Sequence, residues 1–367
     1  MFINCYNCNN IKVNVENATL SDIYQKNPRQ NSILGWFIQN SKVTFNNIRI
    51  LNSGGKNTAV LYTSDYSVVH ISNLEIDTFI SETPSEMFIY SFENKNEGIV
   101  LDLERIELNN IISQGVLFTV YNGKVHLSNS KIKNAHVCHK ENTCKSIKDD
   151  NYIVEQIGIS VLNSKSELLI TNTIFENIYG ESGFVSSIED YITINNSLFL
   201  NCEFSNGLFK INRERLGIYT INYTNFTNII SESGSIIHIE NLDEASPTIV
   251  TINNSNFVNI KANRYGGILY SLSKHINDRV SFNDCNFKGS KASIGNILYV
   301  IDKDSEPYIS NMDDLKKIKG NIATNPTKIK LNYILDTIEL YSGDKLPDNI
   351  ACKSYYFIYN LFIIKYM

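Results

Sequence analysis

Few side chains in this chain are suited to chemistry, and most of them stand apart. The densest group is His136, Cys138, His139 and Cys144, set in HVCHKENTCKSIKDDN, the longest insertion in the chain. Imidazole nitrogens and thiolates bind zinc, but Cys138 and Cys144 are spaced more widely than the cysteine pairs of most structural zinc sites. In an oxidising compartment the same two cysteines read instead as a disulfide pinning a long loop, and no metal is expected. With 7 cysteines in all, including Cys5 and Cys8, there is no disulfide framework for a chain of this length. His70 and His126 each lack a second His or Cys in their own segment, so they read as isolated surface residues. Asn-x-Ser/Thr sequons occur at Asn17, Asn195, Asn222, Asn225 and Asn253, where a secretory pathway could attach glycans. Of these, Asn195, Asn222 and Asn253 share one repeat position, expected to point outward.

The elements that carry these residues repeat. One motif recurs about ten times at a period of roughly thirty residues, within the range of solenoid proteins. It is an alternating apolar pair, then usually Asn, then an apolar residue or Phe, then often a second Asn. The clearest copies are LLITNTIFENI, ITINNSLFLNC, YTINYTNFTNI, VTINNSNFVNI and VSFNDCNFKGS, with apolar pairs Leu168/Ile170, Ile192/Ile194, Tyr219/Ile221, Val250/Ile252 and Val280/Phe282. Earlier copies begin at Val13, Val43, Val69, Leu101 and Val125. Apolar-x-apolar spacing is that of a strand with one buried face, and each copy is too short for a helix. Upstream of most copies a Gly precedes an apolar run, as in GWFI from Gly35, GVLF from Gly115, GSII from Gly234 and GGILY from Gly266. These read as further short buried strands entered through a bend.

A single coil of such strands cannot bury its own apolar face, so coils must stack at about 4.8 Å. The fold expected is all-β: a right-handed parallel β-helix over residues 1–300, pectin-lyase-like, with an insertion loop at 136–156. Asn17, Asn47, Asn73, Asn129, Asn172, Asn196 and Asn254 share one column of the repeat, read as a structural asparagine ladder with Arg105, Tyr223 and Asp284 as exceptions. A second column holds Asn52, Asn110, Asn134, Asn177, Asn201, Asn228 and Asn259. Between them, Phe175, Phe199, Phe226, Phe257 and Phe287 should stack in one corner of the core. From about residue 301 the period stops. Residues 301–367 read as a linker, a short helix over Asn311–Lys319 and a truncated β-rich tail.

The repeat resembles that of the chlamydial polymorphic outer-membrane proteins and of β-helix surface proteins of anaerobic fungi and protists. Phe175-Glu176-Asn177, Phe199-Leu200-Asn201, Phe226-Thr227-Asn228 and Phe257-Val258-Asn259 carry the resemblance in an F-x-N form one residue shorter than the chlamydial FxxN. Gly266-Gly267-Ile268 is the one doubled Gly leading straight into an apolar run. The resemblance spans about residues 13 to 300 as a degenerate repeat, and implies a secreted or cell-surface protein.

Other right-handed β-helices cleave polysaccharides, which requires carboxylate pairs, or a carboxylate with Arg or Lys, on one outward strand face. Here the outward column holds Asn14, Thr44, His70, Asp102, His126, Leu169, Thr193, Thr220, Thr251 and Ser281, and the only adjacent Asp pairs, Asp149-Asp150 and Asp313-Asp314, lie off the repeat strands. Neither catalysis nor a cofactor is expected. A formal charge of -5, with Lys and Arg scattered singly, argues against a nucleic-acid partner. The first residues, MFINCYNCNN, read as no signal peptide, and the apolar stretch Tyr355–Tyr366 is too broken and short to span a bilayer. The chain therefore reads as a fragment. The function expected is an extracellular, non-catalytic, adhesin-like scaffold binding a protein or glycan through the loops at 136–152, 241–248 and 273–279. The alternatives are a polysaccharide lyase or glycoside hydrolase, or a passive stalk.

Overall fold

The computed structural model describes residues 3–5, 11–26, 31–37, 41–56, 58–64, 67–81, 87–91, 100–113, 115–137, 158–163, 165–187, 189–213, 216–240, 242–301, 303–331, 352–358 and 361–366. Within them the chain winds as a parallel β-helix. Each coil lays down three short strands, called here the first, second and third faces in chain order.

The second face is the alternating apolar segment of the repeat. Its strands begin at Lys12, Lys42, Val68, Val100, Lys124, Glu167, Tyr191, Ile218, Ile249 and Val280, and each pairs in parallel with the next. The register is the one the sequence predicts: Val13, Val43, Val69, Leu101, Val125, Leu168, Ile192, Tyr219, Val250 and Val280 stack coil upon coil. From Val43 onward every member of that column is buried. The Gly-led apolar runs form the first face, whose inward column includes Phe209, Ile237, Leu269, Leu298 and Ile322. Two of its glycines show why no other residue serves: Gly234 and Gly266 have φ of +62° and +56°, and a Cβ would lie 2.3 Å and 2.0 Å from the carbonyl oxygens of Ile237 and Leu269.

Between the second and third faces the backbone turns on one residue with left-handed φ. Asn17, Asn47, Asn73, Asn129, Asn172, Asn196 and Asn254 all occupy it, at φ between +49° and +56°, and so do Arg105, Tyr223 and Asp284. Asn tolerates this conformation because its short amide bonds locally, whereas most L-residues meet a steric cost. The first Asn column is thus primarily a backbone device. Amide bonds connect only some of its members, as from Asn47 to Asn17 at 3.0 Å and from Asn172 to Asn129 at 3.2 Å. The second column repeats the device, with Asn177, Asn201, Asn228 and Asn259 at φ of +55° to +56°. There the Nδ2 of Asn177 bonds Asn134 at 2.8 Å, and that of Asn228 bonds Asn201 at 2.8 Å.

The third face carries the phenylalanine stack between these two bends. Phe175, Phe199, Phe226, Phe257 and Phe287 lie ring on ring, with centroids 4.6, 5.3, 5.1 and 5.3 Å apart and planes within 14° of parallel. In the earlier coils aliphatic residues hold the same column, with Ile132, Leu108, Ile76 and Ile50 in register.

Parallel stacking runs past residue 300. Tyr308–Ile309 pairs with Ser281 and Phe282 on the second face, and Ile322–Leu331 pairs with Leu298–Val300 on the first. Only then does pairing become antiparallel, with Cys352–Ile358 and Leu361–Tyr366 completing the sheet. The short helix spans Met312–Lys317, inside the stretch expected for it.

Candidate functional site

On the second face the side chains between the buried positions point to solvent, and in three consecutive coils the outward column reads His70, Asp102, His126. They are not isolated, contrary to the expectation for the two histidines. Nδ1 of His70 lies 2.9 Å from one oxygen of Asp102, and Nδ1 of His126 lies 3.2 Å from the other. Sequence inspection missed the group because its members are 32 and 24 residues apart, as follows from their numbers. Coil register is what brings them together. The signal was the shared outward position, which needed only to be read across coils rather than along a strand.

The far side of His126 also has a partner. Its Nε2 lies 3.4 Å from Thr171 Oγ1, on the next coil. A hydroxyl, an imidazole, a carboxylate and a second imidazole therefore form one chain of contacts over four coils. The side chains of His70, Asp102 and His126 are 39%, 36% and 36% exposed, open to a ligand yet mounted on a rigid sheet. Lys124 and Glu167 flank the group with an ion pair of 2.9 Å.

Each of these strands runs directly into the corner bend, and the corner is concave. Asn47, Asn73, Arg105, Asn129 and Asn172 from the bend, with Arg49, Glu75, Glu107 and Lys131 from the outward third face, line a groove of about 760 Å³. A second hollow of about 380 Å³ continues it along the third face past Asp77, Asn109, Lys133 and Asn134. Charges within it are largely matched. Arg49 forms a two-pronged pair with Glu75 at 2.8 and 3.1 Å, which raises the guanidinium above its ordinary range, Arg105 pairs with Glu104, and Lys133 lies 3.7 Å from Glu176. The neighbouring Lys133 ammonium pulls Lys131 down.

No protein-family model matches this chain, and neither a curated protein nor a solved structure does.

The remaining expected sites lie as follows. His136 belongs to the strand Lys131–Val137 rather than to the insertion, and its ring stacks on Tyr179 at 4.8 Å. Cys138, His139, Cys144 and Cys8 fall outside the described residues, while Cys5 ends the first-face strand Ile3–Cys5, in register with Phe37. Among the described residues no three His, Cys, Asp or Glu side chains are arranged to hold a metal ion. Cys202 and Cys285 are buried thiols, pushed up to about 12 and about 11 by burial.

The sequons at Asn195, Asn222 and Asn253 have a structural origin. Asn283 donates to Asn253 at 2.7 Å, Asn253 to Asn222 at 2.7 Å, and Asn222 to Asn195 at 2.8 Å, forming an outward amide ladder one residue before the column expected to carry it. The next residue in each triplet is the left-handed bend. The third, Ser197, Thr224 or Ser255, is a buried hydroxyl that donates to the carbonyl of the first at 2.9 Å. Ladder amide, bend and corner hydroxyl spell Asn-x-Ser/Thr without reference to glycans. Asn17 occupies the left-handed bend itself, and Asn225 accepts from Asn256 at 2.8 Å.

The two described loops proposed for contact are tied together. Arg279 donates to the carbonyl of Glu244, Ser273 donates to that of Leu242 at 3.4 Å, and Leu242 and Ile276 are buried beneath them.

Proposed function

We propose that this protein is an extracellular or cell-surface scaffold, adhesin-like, that binds a glycan along the corner groove of its N-terminal coils. The observation that carries this reading is the groove itself, about 760 Å³ of open concavity lined chiefly by amides, guanidinium groups, carboxylates and an ammonium. Protein partners are usually held by buried aromatic or aliphatic anchors in a desolvated pocket, whereas Ile174 is the one partly exposed aliphatic residue in this lining, Leu74 and Ile106 being buried. Planar polar groups presented in a row, each with its rotamer held by a neighbour, suit the hydroxyls of a sugar chain instead. The groove replaces the loop edge as the favoured contact surface, since it gathers polar groups from several coils into one concavity, whereas the loops at 242–248 and 273–279 are bound to each other through Arg279 and Ser273.

Cleavage of glycosidic bonds is less well supported. It requires two carboxyl groups free to act as acid and base or nucleophile, whereas in the groove Glu75 is held by Arg49, which leaves its register partner Glu107 without a second free carboxyl group beside it. Nearby, Asp102 is shared between two imidazoles and Glu104 is held by Arg105. An array of neutral and acidic oligosaccharides tests the binding reading. Wild-type protein should retain a defined subset, and Arg105→Ala and Asn172→Ala should each weaken retention about tenfold or more, the loss of one or two hydrogen bonds. Retention unchanged in both variants, or absent throughout, would remove the groove from consideration.

A further inference from the structure

We infer that Thr171, His126 and Asp102 form a hydroxyl–imidazole–carboxylate relay that hydrolyses acyl esters, with O-acylated sugars as the substrate class. The sugar part of this inference rests on the groove reading above; the relay rests on its own geometry. A hydroxyl becomes a nucleophile when a base within hydrogen-bond reach takes its proton and a third group orients that base. All three parts are present. Asp102 accepts from Nδ1–H of His126 at 3.2 Å, which leaves the lone pair on Nε2, and Nε2 faces Thr171 Oγ1 at 3.4 Å. Such contacts lengthen in an unliganded site and tighten when substrate binds.

Two further features separate this from a chance contact. His70 bonds the second oxygen of Asp102 at 2.9 Å, so the carboxylate is held from both sides and cannot rotate away from His126. Asn195, the register partner of Thr171 on the following coil, ends the outward amide ladder. Its oxygen accepts from Asn222, which leaves its Nδ2 as the terminal donor of the ladder, and successive amide bonds polarise one another toward that end. A polarised donor beside the nucleophile is what a developing oxyanion requires.

In the first step Thr171 Oγ1 bonds to the ester carbonyl carbon as its proton passes to Nε2 of His126. The carbon–oxygen bond to the alcohol then breaks, and the departing oxygen takes the proton from Nε2. Water next adds to the acyl-threonine and yields a proton to Nε2. The carboxylic acid is released as that proton returns to the Thr171 oxygen. Asp102 and His70 are positioning residues. Because Thr171 leads straight into Asn172, a ligand lying in the groove passes beside the nucleophile.

The test uses the full chain with two probes, p-nitrophenyl acetate, which needs no groove, and an acetylated xylo-oligosaccharide. Thr171→Ala and His126→Gln should each lower kcat/KM for p-nitrophenyl acetate at least about 100-fold, the usual scale of a lost nucleophile or general base. Thr171→Ser should restore turnover, and Asp102→Asn should lower kcat with KM unchanged. Mass spectrometry of acid-quenched reactions should find an acetyl group on Thr171. All three side chains point to solvent, so circular dichroism should show each variant folded. Absence of turnover by the wild type, or a wild-type rate in Thr171→Ala, overturns the relay, since an ordinary surface imidazole would then suffice. Thr171-dependent turnover of p-nitrophenyl acetate with the oligosaccharide untouched would keep the relay and refute the sugar substrate.

Discussion

The coils up to Val137 and the coils from Glu167 onward share one backbone and differ in what the repeat is used for. In the later coils like stacks on like: phenylalanine on phenylalanine, Asn195, Asn222, Asn253 and Asn283 as one ladder, and Thr193, Thr220 and Thr251 in the outward column. In the earlier coils the same positions are broken up. His, Asp and His replace the outward threonines, and Arg49, Glu75, Glu107 and Lys131 occupy the outward third face; the bend departs from asparagine in both regions, at Arg105 and at Tyr223 and Asp284. Regularity satisfies hydrogen bonds and fills the core. Departure from it, at positions where the fold does not need a particular side chain, is where a binding or reacting surface can be written without cost to the stack.

The sharpest way to break this comparison is to strike both regions equally hard. Phe226→Asp or Ile194→Asp places an unpaired carboxylate in a fully buried column and should abolish the cooperative melt of several coils. The milder Phe226→Ala should cost about 3–5 kcal/mol. His70→Ala or Glu75→Ala in the early coils should stay within about 0.5 kcal/mol. Thermal melts followed by circular dichroism check all five, and equal losses in the two groups would mean that the inward and outward faces are wrongly assigned.

A smaller effect separates the ladder from its surroundings. Asn222→Ala leaves Asn195 without its donor and Asn253 without its acceptor, and should cost about 1–2 kcal/mol, whereas Thr220→Ala on the same strand should cost under about 0.5 kcal/mol. Chemical denaturation reads the difference. Its absence would reduce the ladder to a decoration of the surface.

The pH dependence should also localise. Burial lowers His238 from its ordinary value of 6.5, outweighing the bond to the Ser233 carbonyl at 2.9 Å. The folded state therefore prefers the neutral ring. The stability this supplies is present above about pH 6.5 and is lost as pH falls through the lowered value. Denaturation midpoints measured across that window should fall for the wild type and flatten in His238→Gln; parallel slopes would count against it. The least disruptive prediction concerns Cys202 and Cys285, whose thiols, pushed up to about 12 and about 11, should resist alkylation by iodoacetamide until the chain is denatured. Rapid labelling of the native protein would show that the corner they occupy opens.

Much of this was legible beforehand because the solenoid turns sequence period into spatial register. The buried pairs, the phenylalanine stack and the two bends could be read from a self-alignment. What escaped was chemistry assembled across coils. His70, Asp102, His126 and Thr171 carry no motif along the chain, and their meeting depends on coil lengths that vary from copy to copy. The sequons show the converse, since a ladder amide, a left-handed bend and a corner hydroxyl spell Asn-x-Ser/Thr for reasons of the fold. The end of the repeat was placed too early because the last coil lacks both Asn columns, although Tyr308, Ile309 and Ile322 still stack in parallel.

The central claim is that the early coils, with Thr171 and Asn172 at their edge, act while the coils beyond them hold them in place, and the most direct measurement is a hydrogen-exchange footprint of the full chain with an oligosaccharide retained on the array. Added ligand should slow exchange in peptides covering Thr44–Ser53, His70–Phe79, Asp102–Asn110 and His126–His136. Residues 242–248 and 273–279 should be unchanged. Protection confined to those loops, with the early coils unaffected, would contradict the account.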